Sequence, residues 1–190
     1  MAVINYRLQP TVAWPSQVDD VRAAVAWVRG NIERYGGQPD RIFLMGHSAG
    51  AHLASLAALT TADAGIRGVI AVSSAALDLS DESTYQLGAD RNYYRQRFQG
   101  DDRSDEWQRR ASPVHFADAQ APPFLIFYAT GETKALQRQS QLLHAALLTA
   151  GAKSTLTPIP GESHTRMVLA LSHPQKIPVQ AILDFVRGAG

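Results

Sequence analysis

Short apolar runs alternate with longer stretches of helical period along this chain. Ala2 to Tyr6 reads as a short buried strand, and Pro10 to Pro15 as a loop. Ser16 offers an N-cap, and Asp19 three residues on suits the positive end of a helix. Val18, Val21, Val25, Val28, Ile32 and Tyr35 then recur at spacings of three and four, which predicts one apolar helix face. Gly36-Gly37 stops that helix, and Pro39-Asp40 turns the chain. Ile42 to Met45 predicts the second strand, followed by Gly46-His47-Ser48-Ala49-Gly50 and a run of helix formers from Ala51 to Leu59. Val69 to Val72 predicts a third strand, closed by Ser73-Ser74.

From Asp78 to Gln120 the pattern changes. Charges cluster at Asp81-Glu82, Asp101-Asp102-Arg103 and Arg109-Arg110, among the aromatics Tyr85, Tyr93, Tyr94, Phe98 and Trp107. The stretch reads as a cap-like excursion over the sheet within one domain, ahead of the plainer reading of a solvated loop with short helices. Pro122-Pro123 ends it. Phe124 to Tyr128 predicts a central strand, and Leu136, Leu143 and Leu147, with Ser140 among them, a helix closed by Gly151. Ser154 to Ile159 alternates as the last strand, Gly161-Glu162-Ser163-His164 is a loop, and Ile177 to Val186 is a final helix. Strands alternating with helices predict a mostly parallel sheet covered on both faces.

Composition narrows the function classes. The chain has 190 residues, 45% hydrophobic and 18% charged, which suits one folded domain with a core. A net charge of +1 gives no electrostatic footprint for nucleic acid or an acidic membrane surface. With no cysteine there is no disulfide, thiolate zinc site or cysteine nucleophile. No apolar run has the length of a membrane span. Met1 to Leu8 lacks the basic and apolar regions of a signal peptide, so a cytoplasmic location is expected.

Candidate chemistry centres on Ser48. A strand, a Gly-x-Ser-x-Gly turn and a helix form a nucleophile elbow, with the serine hydroxyl exposed at the tip. Both glycines are expected to be needed because the turn leaves no room for a Cβ at either flank. The Ala49 N–H, at the head of the helix, can face a developing oxyanion. Serine is a weak nucleophile unless an imidazole takes its proton and a carboxylate orients that imidazole. In such folds the chain order is Ser, acid, His. Of six histidines, only His164 lies in a loop after the last strand, downstream of a candidate acid. His47 and His52 flank the elbow and read as packing groups, with His47 also a candidate for contacting substrate. His115 lies in the excursion, His144 within a helix, and His173 before Pro174. Glu132 follows the central strand and is the first choice of acid, ahead of Asp78 and then Asp118. The plainer alternatives are an exposed loop carboxylate and a surface histidine.

Asn5-Tyr6-Arg7-Leu8, Trp14-Pro15, Ala26-Trp27-Val28, Tyr35-Gly36-Gly37, Asp40-Arg41-Ile42 and Gly46 to Ala54 together resemble a known family. So do Ala111-Ser112-Pro113, Pro122 to Leu125 and Gly161 to His164. The chain resembles the serine esterase branch of the α/β-hydrolases that holds kynurenine formamidase-like and hormone-sensitive-lipase-like enzymes. The resemblance implies Ser48 as nucleophile, Glu132 in a place more often held by Asp, and His164 as base. Such enzymes carry a His-Gly-Gly loop ahead of the Asn-Tyr-Arg-Leu strand, and its N–H groups complete the oxyanion hole. This sequence contains no His-Gly-Gly.

The resemblance thus implies an N-terminally truncated α/β-hydrolase fold lacking three strands and a helix. One of those strands would lie between Ala2–Tyr6 and Ile42–Met45. Either the first strand then pairs directly with the elbow strand, or an apolar edge stays open and invites another copy of the chain. The expected activity is hydrolysis of short-chain carboxylic esters through an acyl-enzyme, without metal or cofactor. Arylformamidase-type amide hydrolysis and a non-catalytic binding or partner subunit are the alternatives. A small-molecule ester is the expected partner, with no nucleic acid or membrane, and a homodimer through the sheet edge.

Overall fold

In the computed structural model, residues 1–61, 65–100, 102–104, 106–173 and 177–188 are described; Asp101 and Pro174, read above in a charge cluster and at a helix start, lie outside them. Four parallel strands stand side by side in chain order: β1 (Ile42–His47), β2 (Ile66–Val72), β3 (Phe124–Ala129) and β4 (Ser154–Ile159). The helices are α1 (Trp14–Asn31), α2 (Ala49–Thr60), α3 (Glu82–Gln86), α4 (Arg91–Phe98), α5 (Glu106–Ala111), α6 (Lys134–Thr149), α7 (Arg166–Ala170) and α8 (Ile177–Gly188). Each strand after β1 follows a helical crossover, which is what parallel pairing requires.

The central strands are apolar at successive positions because both faces are covered. Val69, Ala71, Phe124 and Ile126 pack with Ala51, Ala54, Leu143 and Leu147 of α2 and α6. Ile70, Val72, Leu125 and Phe127 face the opposite way, toward Met167 of α7 and Ala181, Ile182 and Phe185 of α8. Val18 and Val21 of α1 pack on Leu53, Leu56 and Ala57 of α2. Among the described residues no helix is long and apolar enough to cross a membrane.

Two sequence expectations change. α1 starts at Trp14, so Ser16 lies inside it and Ala13 caps it. Pro15 explains this, since it lacks an N–H and its fixed φ suits the first turn. Ala2 to Tyr6 is not a strand. A cleft of about 510 Å³ separates it from β1, lined by Val21, Val25, Val28, Leu44 and Met45 among others. Ladder hydrogen bonds need strands about 4.8 Å apart, so nothing pairs with the segment across that gap. Its end is held by Arg7, whose backbone N–H and guanidinium donate to Asp20 of α1. Among the described residues β1 is therefore an open edge.

Consequently the excursion follows the second strand of the sheet, not the third. It folds into α3, α4, α5 and a 3₁₀ turn at Pro113–Phe116. Asp81 and Asp90 cap α3 and α4 with their carboxylates. Ala76, Leu79, Trp107 and Ala111 form its apolar core with Trp14 against it. Arg138 of α6 donates to Asp81 at 2.6 Å and 2.7 Å, which ties the excursion to the main body and holds the Asp81 carboxyl down at about 2.

Candidate active site

β1 ends at His47 and α2 begins at Ala49, so the chain reverses at one residue. Ser48 takes φ 55° and ψ −117° there. A non-glycine residue held at positive φ costs about 1–3 kcal/mol, sustained only by its surroundings. The surroundings here are explicit. The Ser48 N–H donates to the Val72 carbonyl at 2.9 Å, and the Ser48 carbonyl accepts from Ala51 and His52.

The two glycines of the elbow differ. A Cβ on Gly46 would lie 2.2 Å from the Gly50 backbone, so no side chain fits. A Cβ on Gly50 would meet no atom within 4 Å. The expectation that both positions exclude a side chain is corrected: only Gly46 does, because Gly50 faces the open cleft beside β1. Ala49 is exposed at the first position of α2. Among the described residues the N–H groups of Ala49 and Gly50 donate to no acceptor, as expected of a helix start.

The loops after β3 and β4 meet at the same end of the sheet as the elbow. Parallel strands place all their C-terminal loops on one edge. His164 Nε2 lies 3.0 Å from Ser48 Oγ, and His164 Nδ1 lies 3.1 Å from Glu132 Oε2. A carboxylate can only accept, so Nδ1 carries the hydrogen and Nε2 is left to accept from the serine hydroxyl. The Glu132 side chain is fully buried, and its Oε1 has no hydrogen-bond partner among the described residues. The charge is therefore directed at His164 through one oxygen.

The acid and base loops are also joined through their backbones. Gly131 donates its N–H to the Glu162 carbonyl at 3.0 Å. A Cβ on Gly131 would stand 2.7 Å from that same oxygen. Sequence reasoning missed this contact, although a glycine directly ahead of the candidate acid was its available signal.

His47 lies against the base loop. Its Nε2 lies 2.8 Å from the His164 carbonyl, and its ring centroid lies 4.7 Å from that of His164. Burial lowers the His47 pKa from its usual value. The other sequence candidates lie elsewhere. Asp78 accepts from the Ser80 hydroxyl at 2.6 Å, with His115 at 3.8 Å. Asp118 caps a turn by accepting from the Gln120 N–H. His52 is buried and donates to the Ala111 carbonyl at 2.7 Å. His144 contacts Ser154. Among the described residues no group of three His, Asp or Glu side chains could hold a metal ion.

Chemically, a hydroxyl hydrogen-bonded to an imidazole that is anchored on a buried carboxylate can lose its proton as Oγ attacks an acyl carbon. Ala49 opens α2 directly after Ser48, at the helix end where backbone N–H groups favour negative charge.

The BD-FAE family model matches residues 1–147, a span that includes Ser48 and Glu132 and ends before His164. Esterase LipQ of Mycobacterium tuberculosis is 31% identical over 197 residues, covering 96% of this chain and 46% of LipQ. Isoprenylcysteine alpha-carbonyl methylesterase ICME of Arabidopsis thaliana is 30% identical over 186 residues, covering 89% of this chain and 44% of ICME. The chain thus spans less than half the length of these curated relatives. Among solved structures, carboxyl esterase 2 of the mycorrhizal fungus Tuber melanosporum superposes with a TM-score of 0.78 at 22% identity, covering 98% of this chain and 67% of that one. A truncated carbohydrate esterase from gut microbiota gives a TM-score of 0.74 at 22% identity, covering 98% of this chain and 72% of that one. At such identity the likeness speaks for the fold alone. The chain belongs to the BD-FAE family and carries an α/β-hydrolase fold with a parallel sheet.

Proposed function

We propose that this chain hydrolyses short-chain carboxylic esters as a serine hydrolase. The observation that carries the reading is the line from Ser48 Oγ to His164 Nε2 and from His164 Nδ1 to Glu132, built on a strained strand-to-helix turn. Ser48 Oγ attacks the ester carbonyl and gives its proton to His164 Nε2, while Glu132 stabilises the imidazolium. The Ala49 N–H donates to the oxyanion. Collapse of the tetrahedral intermediate breaks the acyl–oxygen bond, and His164 returns the proton to the departing alcohol. Water, deprotonated by His164, then attacks the acyl-enzyme and frees the acid and Ser48. LipQ and ICME, both named as esterases, support this class of reaction.

A second reading, a non-catalytic binding or partner subunit, is favoured by the empty space at Gly50. Nothing among the described residues stands within 4 Å of that point, and losing an oxyanion donor costs about 10²–10³ in rate. Hydrolysis of p-nitrophenyl acetate and butyrate decides between them. The expected result is turnover that Ser48→Ala reduces by roughly 10⁴-fold or more, with a fluorophosphonate labelling the native chain and not the variant. Turnover that survives Ser48→Ala overturns the catalytic reading, and no turnover or labelling favours the subunit. A formanilide run in parallel tests the amide alternative.

A further inference from the structure

His47 is the last residue of β1 and the residue before the candidate nucleophile, yet its ring is engaged 117 positions away. We propose that His47 is a positioning residue, whose Nε2–H holds the backbone carbonyl of His164 and so fixes the loop that aims His164 at Ser48. The inference rests on the serine hydrolase reading for its meaning, and on geometry alone for its substance.

A carbonyl oxygen can only accept, so the 2.8 Å contact requires a hydrogen on His47 Nε2. Burial lowers the pKa of this imidazole, which keeps it neutral and leaves Nδ1 without a proton. Neutrality matters because the two ring centroids lie 4.7 Å apart, with the planes tilted by 45°. A cation at His47 would oppose the positive charge that His164 must accept, whereas a neutral donor does not.

The contact also completes a clamp. The loop bearing His164 is held on one side by Gly131, whose N–H grips the Glu162 carbonyl. His47 grips the His164 carbonyl two residues later. The first grip comes from the loop of the candidate acid, and the second from the strand that carries the nucleophile. The His164 ring and the His164 backbone are therefore referenced to the same rigid strand end, at Ser48 and His47 respectively. Without the second grip, the His164 backbone is tied only to the acid loop, through Gly131 at Glu162, and no longer to the strand that carries Ser48.

Two variants and one spectroscopic measurement test this. His47→Phe keeps an aromatic ring against His164 and removes the donor. His47→Gln removes the ring and keeps an amide N–H that reaches the same point. Losing one part-buried hydrogen bond that orients a reacting group is expected to lower kcat roughly tenfold in His47→Phe. KM for p-nitrophenyl acetate is expected to stay within about twofold, and His47→Gln to recover most of kcat. Loss confined to KM overturns the proposal in favour of substrate contact. Equal loss in both variants, or none in either, also overturns it.

Histidine ¹⁵N spectra of the unmodified chain provide a readout that needs no turnover. They are expected to show His47 protonated at Nε2 and bare at Nδ1, and the His164 Nδ1–H resonance to move in His47→Phe and return in His47→Gln. An Nδ1-protonated His47, or a His164 resonance indifferent to both changes, overturns the proposal. If the chain hydrolyses no ester while the spectra behave as expected, the function reading falls and the positioning role stands.

Discussion

The backbone at Ser48 can hold φ 55° only because the residues around it give way at one place, Gly46. The opposing atoms there are backbone atoms of Gly50 and Ala51, which no rotamer change can move. Gly46→Ala is therefore expected to destabilise the fold by roughly 3 kcal/mol, at the upper end of overpacking costs. Gly50→Ala, in the first turn of α2 and facing open space, is expected to be neutral or to gain up to about 1 kcal/mol from helix propensity. Urea unfolding of the two variants measures the contrast, and equal damage from both contradicts it. The motif was readable because its parts lie within five consecutive positions. The different roles of its glycines were not readable, since they depend on what stands opposite each one in space.

At the scale of elements, the strands were legible wherever an apolar run also had neighbours. Phe124 to Tyr128 and Ser154 to Ile159 read correctly because the signal in the run and its place in the sheet agree. Ala2 to Tyr6 misled because a strand is a relation between two segments, and apolar character says nothing about a missing neighbour. Buried polar links were equally hidden. Gln139 of α6 is a polar residue on the buried face, four positions before Leu143, and it spans from Asp78 to Thr84. The elbow, the places of Glu132 and His164 just after strands and the order along the chain singled out these three as candidates, but did not show that Gly131 and His47 hold the loop that carries His164.

One such hidden link yields a pH dependence. His52 of α2 ties the elbow helix to the Ala111 carbonyl of the excursion, and burial lowers its pKa from 6.5 to about 4. The unfolded chain binds a proton there near pH 6.5, while the folded chain waits until about pH 4. Between those values the unfolded state holds more protons, so stability falls as pH falls. The total loss from this residue is roughly 3 kcal/mol, and above pH 6.5 its contribution is level. The lowered pKa of His47 adds slope of the same sign. His52→Gln keeps a donor toward Ala111 and removes the titration. Urea midpoints at pH 7 and pH 4 are expected to differ less in this variant than in the native chain, and an unchanged difference contradicts the assignment.

For the molecule as a whole, β1 and β4 are the two edge strands of the sheet among the described residues, and β1 is the one that leads into the candidate nucleophile. β1 contains no charged residue and no proline, the usual devices that keep an edge from pairing. Met45 on that strand is 46% exposed, and Met1, Val3 and Ile4 across the cleft are exposed as well. An unprotected row of N–H and C=O groups beside an apolar cleft attracts an extended apolar segment, and in a pure sample the segment at hand is another copy of this chain. Association through β1 is thus expected to appear in light scattering as a mass that rises with concentration in the micromolar range. Met45→Lys places a charge on the edge and, in a symmetric pair, sets two like charges near each other. It is expected to raise the concentration for association roughly tenfold, the effect of about 1.4 kcal/mol. It should leave the urea midpoint of the monomer nearly unchanged, because an exposed lysine there displaces no core contact. A native chain that stays monomeric throughout that range, or a Met45→Lys chain that associates equally well, places the contact elsewhere and leaves the edge closed by other means.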